Sequence, residues 1–251
     1  MMTRSFRAEL QKSRRRHDWL VAAGIALVVV LWASVTYDLD TPEELASCYS
    51  ALYFAVPLMN AIVMPVGMAA LASRIWDSET KGETCKLLFT LQSRERLFCG
   101  KAALGMLENL LVCLIEVAGV WALGLWKGST QAPDPVRFGW LFLCAFLVNA
   151  MLYFFSFYLS LRFRNQVTAL AVGFCGALIG LFAAYMPTWF GYFVPFGYYV
   201  PLNGVLMSWD RDTRITTFYL TDFRWWLLGV TVLLGLLCAA ACRRSIQTKE
   251  V

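Results

Sequence analysis

The sequence predicts an all-α membrane protein with six transmembrane helices. Three observations carry this reading. Hydrophobic residues are 59% of the 251 positions and charged residues only 16%, a composition of membrane rather than soluble chains. Six apolar stretches, near 19–37, 51–73, 102–126, 138–161, 167–186 and 225–242, match the ~20 residues that cross a hydrocarbon core. The basic residues also fall on one side. Segments 1–18, 74–101, 162–164 and 243–249 hold seventeen of the 22 Lys and Arg, against five in 38–50, 127–137 and 211–224. The positive-inside rule then places both termini in the cytoplasm. The whole chain, 1–251, reads as one transmembrane domain.

Residues 1–18 precede the first span. Phe6 and Leu10 lie one helical turn apart, with Arg7, Lys12, Arg14, Arg15 and Arg16 around them. This pattern predicts a short interfacial helix whose bases meet lipid phosphates. Ser13-Arg14-Arg15-Arg16 before an apolar run also has the look of a twin-arginine signal. Five further spans with no soluble domain to export argue against cleavage. The first outer loop, 38–50, carries Asp38, Asp40, Glu43 and Glu44 and no base. It either concentrates a cationic ligand or is a solvated loop that obeys the orientation rule.

The second span contains Pro57 and Pro65, which remove backbone donors and tend to kink a helix. Beyond it comes the charged segment 74–101. Glu79, Lys81 and Glu83 read as solvated, Gly82 permits a turn and Thr84 can cap a short helix. Leu87, Leu88 and Leu91 form an apolar strip at helical spacing, suited to a groove on a cytoplasmic partner. An ordinary polar loop is the alternative.

The third span holds Glu108 and Glu116. A carboxylate at mid-membrane costs ~3 kcal/mol on insertion scales, so it faces protein or water. Glu116 either lines a cavity or hydrogen-bonds Asn60 or Asn149 on neighbouring spans. Glu108 lies nearer the cytoplasm, where Lys101 is a candidate partner. On the fifth span, Ala169, Gly173, Gly176 and Gly180 form a small-residue stripe for close helix approach.

Residues 187–207 contain Trp189, Phe190, Tyr192, Phe193, Phe196, Tyr198 and Tyr199, broken by Pro195, Gly197, Pro201 and Gly204. The stretch is too interrupted for a span and too apolar for a free loop. It predicts a short helical hairpin dipping into the outer interface, either as an amphiphile-binding lip or as a headgroup anchor.

Other chemistry is missing. His17 is the single histidine, which removes His-based zinc sites and triads. Gly100-Lys101 is followed by Ala102, so there is no P-loop. The eight cysteines show no disulfide or metal-ligand spacing, and only Cys48 falls outside. No catalytic residue, metal site or nucleic-acid surface is expected.

The run Glu79-x-Lys81-Gly82-x-Thr84-x-Lys86-Leu87-Leu88, followed by Ser93-Arg94 and Lys101, resembles the segment between the second and third helices of type-2 ABC exporter permeases. It is most similar to that of the lantibiotic-immunity permeases. Leu91 departs from the pattern, since relatives often carry Pro there. The resemblance implies an N-terminal elbow helix (1–18), a cytoplasmic coupling helix within 74–101 and an extracellular re-entrant hairpin (187–223) before the last span. It implies that Glu79, Lys81, Gly82, Thr84, Lys86, Leu87, Leu88 and Arg94 meet an ATPase. It implies a dimer seam at Gly173, Gly176 and Gly180, with tight packing inside one subunit as the alternative, and a substrate path past Glu116, Trp189, Phe193 and Tyr198. The expected partners are two ABC ATPase subunits, which bind ATP and Mg, a second permease chain, identical or paralogous, and membrane lipid. The expected cargo is a lantibiotic-type amphiphilic peptide, cleared from the bacterial plasma membrane to give immunity. A sensor or scaffold subunit that binds peptide without pumping is the alternative.

Overall fold

A computed structural model describes residues 2–36, 42–80, 90, 93–163, 165–209 and 216–248. Six of its helices are long and apolar enough to cross a membrane, as the sequence predicts. They are α2 (Asp18–Thr36), α4 (Cys48–Thr80), α5 (Arg94–Trp126), α6 (Pro135–Arg162), α7 (Gln166–Ala184) and α10 (Trp225–Gln247). Before them lies α1 (Met2–Arg16), and α3 (Pro42–Leu45) is one turn between α2 and α4. Residues 81–89 and 91–92 lie outside the described part. So do Lys81, Gly82, Thr84, Lys86, Leu87 and Leu88, and with them the proposed coupling helix.

Local chemistry sets the helix ends. Asp134 and Asn165 accept from Val136 N–H and Val167 N–H, capping α6 and α7, and Pro135 takes the first position of α6, where no donor is needed. At the end of α5, Gly128 sits at φ +74. Its N–H reaches Leu125 O, while Ser129 N–H reaches Gly124 O. This is a Schellman closure, and the left-handed residue there favours glycine.

The central helix is α4. Packed around it are α2, α5, α6 and α7, while α10 lies mainly on α6 and α1 on α5. Pro57 and Pro65 are both inside α4, which continues through them. With 33 residues each, α4 and α5 are about 50 Å long at 1.5 Å per residue, against a hydrocarbon core of about 30 Å. The excess gives each helix a turn or more outside the apolar layer. The bundle has a near end, where α1 packs, and a far end, where α3 lies.

Large aromatic side chains fill notches left by glycine. A Cβ on Gly105 would lie 2.1 Å from Tyr153 Cζ, and the Tyr153 hydroxyl donates to Lys101 O at 3.1 Å. At the far end Tyr49, Tyr53 and Phe138 cluster, with ring centroids 5.2–6.2 Å apart. Trp140 stacks on Phe223 at 4.3 Å.

Between α7 and α10 the expected helical hairpin is present only in part. Helical turns form at α8 (Thr188–Gly191), Pro195–Gly197 and α9 (Tyr199–Leu202). From Val205 the chain turns extended. β1 (Val205–Trp209) pairs antiparallel with β2 (Thr216–Leu220), Val205 opposite Leu220 and Trp209 opposite Thr216. β-branched and aromatic residues at Val205, Trp209, Thr216, Thr217, Phe218 and Tyr219 favour this ribbon.

Candidate coupling site and polar bundle core

Charged residues gather at the near end, where α1 crosses the ends of α4 and α5. Lys101 on α5 is fully buried, and Glu79 and Glu9 are 1% and 4% exposed. The Lys101 ammonium donates to Glu79 Oε1 at 3.0 Å, Glu9 Oε2 at 3.2 Å and Ile75 O at 3.0 Å. That uses all three of its donors. Lys12 donates to Glu79 Oε1 at 2.8 Å and Glu9 Oε1 at 3.1 Å. Burial by itself would raise the Glu79 pKa, but the ammonium groups of Lys101 and Lys12 outweigh it and hold the carboxyl at about 2. Burial likewise would lower Lys12, and its bonds to Glu79 and Glu9 raise it instead.

A second cluster lies alongside. Asp18, at the start of α2, is 1% exposed. It accepts from Arg16 at 2.6 Å and from Arg74 at 2.9 and 3.1 Å. Arg16 also donates to Arg74 O at 2.9 Å, and Arg74 to Arg16 O at 3.3 Å. Ser13 donates to Glu108 Oε1 at 3.1 Å. At the exposed surface of the same end, Arg94 donates to Gln247 O, and Glu95 pairs with Arg243, joining the start of α5 to the end of α10.

Several expectations change here. Glu79 is not a solvated rim residue. It is enclosed by α1 and α5, because Lys12 and Lys101 supply the charge that its burial requires. Glu108 takes Ser13 as its partner, while Lys101 turns to Glu9 and Glu79. Lys12 and Arg16 form protein ion pairs, leaving Arg14 and Arg15 exposed. Sequence reasoning passed over Glu9, Asp18 and Arg74. The usable signal was two acids, Glu9 and Asp18, inside an otherwise basic segment.

Deeper in the bundle a polar thread runs between helices. Asn60 Nδ2 donates to Glu116 Oε2 at 3.1 Å, which is the hydrogen-bonded reading of Glu116 with Asn60 as partner. Asn149 accepts from the Tyr199 hydroxyl and donates weakly to Cys113 Sγ at 3.6 Å. Asn109 donates to Phe146 O at 2.9 Å. These bonds tie α4, α5, α6 and α9 together. The cavity beside Asn60 and Tyr199 holds about 20 Å³, room for about one water.

The glycine stripe of α7 faces inward. A Cβ on Gly173 would sit 2.7 Å from Pro65 O, one on Gly176 2.3 Å from Phe196 Cδ1, and one on Gly180 3.2 Å from Gly197. This face is filled by the chain's own α4 and hairpin. Close packing within the subunit, the alternative to a dimer seam at Gly173, Gly176 and Gly180, is thus present at this stripe. Phe174, Ile179 and Phe182 on the opposite face are exposed.

In the hairpin, Trp189 and Phe193 are 61% and 77% exposed. Tyr198 is buried, its hydroxyl donating to Tyr192 O at 2.9 Å, so it supports the hairpin instead of forming its lip. Neither exposed aromatic meets Glu116, which lies inside the bundle. A groove of about 460 Å³ opens beside the hairpin, lined by Phe54, Leu58, Tyr185, Met186, Met207 and Arg224 among others. Cys48 is buried. Asp38 and Asp40 lie outside the described residues. Among the described residues no group of three or more His, Cys, Asp or Glu is placed to hold a metal.

A search of curated proteins finds no match to the chain. Against protein families, residues 5–180 match the one described as "ABC-2 family transporter protein". The match runs from α1 through the near-end ion pairs and the polar thread into α7, and it covers more than half of the sequence. The chain thus belongs to the ABC-2 transporter family: it is a multi-pass membrane permease subunit of an ABC exporter and partners an ATPase subunit.

Proposed function

We propose that the chain exports a lantibiotic-type amphiphilic peptide from the bacterial plasma membrane, giving immunity or resistance. Two permease chains, identical or paralogous, pair with two ATPases that bind ATP and Mg. Both termini and the near end face the cytoplasm. The coupling helix within segment 74–101, with Leu87 and Leu88 as its apolar contact, docks on the ATPase. The observation that carries this reading is the buried Glu79–Lys101–Glu9–Lys12 cluster. It sits at the root of that segment and binds α1, α4 and α5 to each other. A push on the segment is passed to three helices at once, since breaking a buried ion pair costs about 3–5 kcal/mol. The narrow interior beside Asn60 favours exit along the outer surface, past Trp189 and Phe193, over a wide aqueous pore.

The test is co-purification with the ATPase, followed by peptide-stimulated ATP hydrolysis. Leu88→Asp is expected to release the ATPase while the permease stays folded in the membrane. A complex that survives Leu88→Asp with unchanged hydrolysis removes the docking assignment. A wild-type complex that lantibiotics fail to stimulate removes the cargo.

A further inference from the structure

Leu104, Leu107, Leu111 and Leu114 recur on α5 at spacings of three, four and three, so they form one stripe. Together with Trp19 they line a groove of about 490 Å³ between α1 and α5, near the bundle's near end. Leu107, Leu114 and Trp19 are exposed, so the groove opens toward lipid. Two charged side chains interrupt its apolar lining, Glu108 and Arg14.

Glu108 is 4% exposed. Its Oε1 accepts from Ser13, but its Oε2 is buried and has no hydrogen-bond partner among the described residues. An enclosed carboxylate oxygen without a donor is costly, and the residue that carries it lines an open groove. Arg14 is exposed, and its guanidinium has no ion-pair partner among the described residues. The groove therefore combines an apolar stripe, a carboxyl group with one unfilled acceptor just beneath its wall and an unpaired cation. A ligand that satisfies all three has a long apolar tail, an N–H donor with positive charge and an anionic group.

We propose that this groove binds a membrane phospholipid with a primary ammonium headgroup. The acyl chain lies on the leucine stripe, the phosphate meets Arg14 and the ammonium donates to Glu108 Oε2. Arginine is suited to phosphate oxygens, and a charge held within the apolar layer demands a partner. A quaternary choline head has no N–H to give, so it leaves Glu108 Oε2 without a donor. The site requires only that the chain spans a membrane. It depends on neither the peptide cargo nor the ATPase docking.

Purified full-length chain is equilibrated with vesicles holding equal amounts of phosphatidylethanolamine and phosphatidylcholine, and retained lipid is read by native mass spectrometry. Wild type is expected to enrich phosphatidylethanolamine about tenfold, the effect of one well-placed charged contact. Glu108→Gln is expected to bring the ratio close to one. Arg14→Ala and Leu107→Trp, both at exposed positions that leave the fold intact, are expected to lower retention of both lipids. A wild-type ratio of one overturns the proposal. So does phosphatidylethanolamine retention that Arg14→Ala and Leu107→Trp leave unchanged.

Discussion

Lys101 on α5 donates to Glu79 on the last turn of α4 at 3.0 Å, and the ammonium is entirely enclosed. The bond closes the two longest helices over the chain's charged connection. Among the described residues, without Lys101 the buried Glu79 and Glu9 share only Lys12, and without Glu79 the two lysines share only Glu9; a buried charge left short of compensation costs up to about 3–5 kcal/mol. Lys101→Met and Glu79→Gln are each expected to lower the thermal midpoint in detergent clearly. Lys101→Met combined with Glu79→Leu is expected to lose less than the sum of the single changes.

The same carboxyl gives a pH dependence. Glu79 sits at about 2 when folded, against an ordinary 4.5. Between these values the unfolded chain binds the extra proton, so stability rises with pH through that window and is lost as pH falls through it. The advantage of wild type over Glu79→Gln, read as a difference in thermal midpoint, is expected to hold above pH 4.5 and to vanish as pH falls toward 2.

Topology is read from thiol accessibility. Cys48 is buried and is a poor reporter of the far end. Thr130, in the loop between α5 and α6, is exposed. With both termini cytoplasmic, an impermeant reagent on intact cells is expected to label Thr130→Cys and to spare Cys99. Labelling of Cys99 in sealed cells reverses the orientation.

Gly176 makes room for the Phe196 ring. Gly176→Ala is expected to cost about 1–3 kcal/mol through overpacking and to speed proteolysis of the hairpin. Phe196→Leu in the same chain is expected to recover part of the loss, because the smaller side chain clears the added methyl.

The hairpin aromatics divide by exposure. Trp189→Ala with Phe193→Ala is expected to reduce peptide resistance at unchanged expression and ATPase assembly, since exposed aromatics dominate contact energy. Tyr198→Phe removes one hydrogen bond, about 1 kcal/mol, and is expected to lower stability while leaving peptide response intact. Unchanged resistance in the double variant assigns Trp189 and Phe193 to anchoring.

The spans were legible because twenty apolar residues have few other destinations. Glu116 was legible for a related reason: an acid in a span needs a polar partner, and Asn60 was one of two within reach. Glu79 was not. Its partners Lys12 and Lys101 stand 67 and 22 residues away, and a charged stretch reads as solvated until folding covers it. The glycines of α7 signalled close approach, but spacing cannot say whether the approaching surface is Phe196 of the same chain or a second subunit. The ribbon at Val205–Leu220 was hidden by proline and aromatic residues that suggested helical turns just before it.

The reach of these ion pairs also orders the chain's assembly. Glu9 leaves the ribosome 92 residues before Lys101. At ~5–20 residues per second, that gap lasts roughly 5–20 s. For most of this interval Glu9 and Lys12 have only each other, since Glu79 follows Lys12 by 67 residues, and α1 must wait in water or at the lipid surface. Only when α5 arrives is the set of pairs around α1 complete, so the first helix made is fixed in place only after α2 and α4 have followed it.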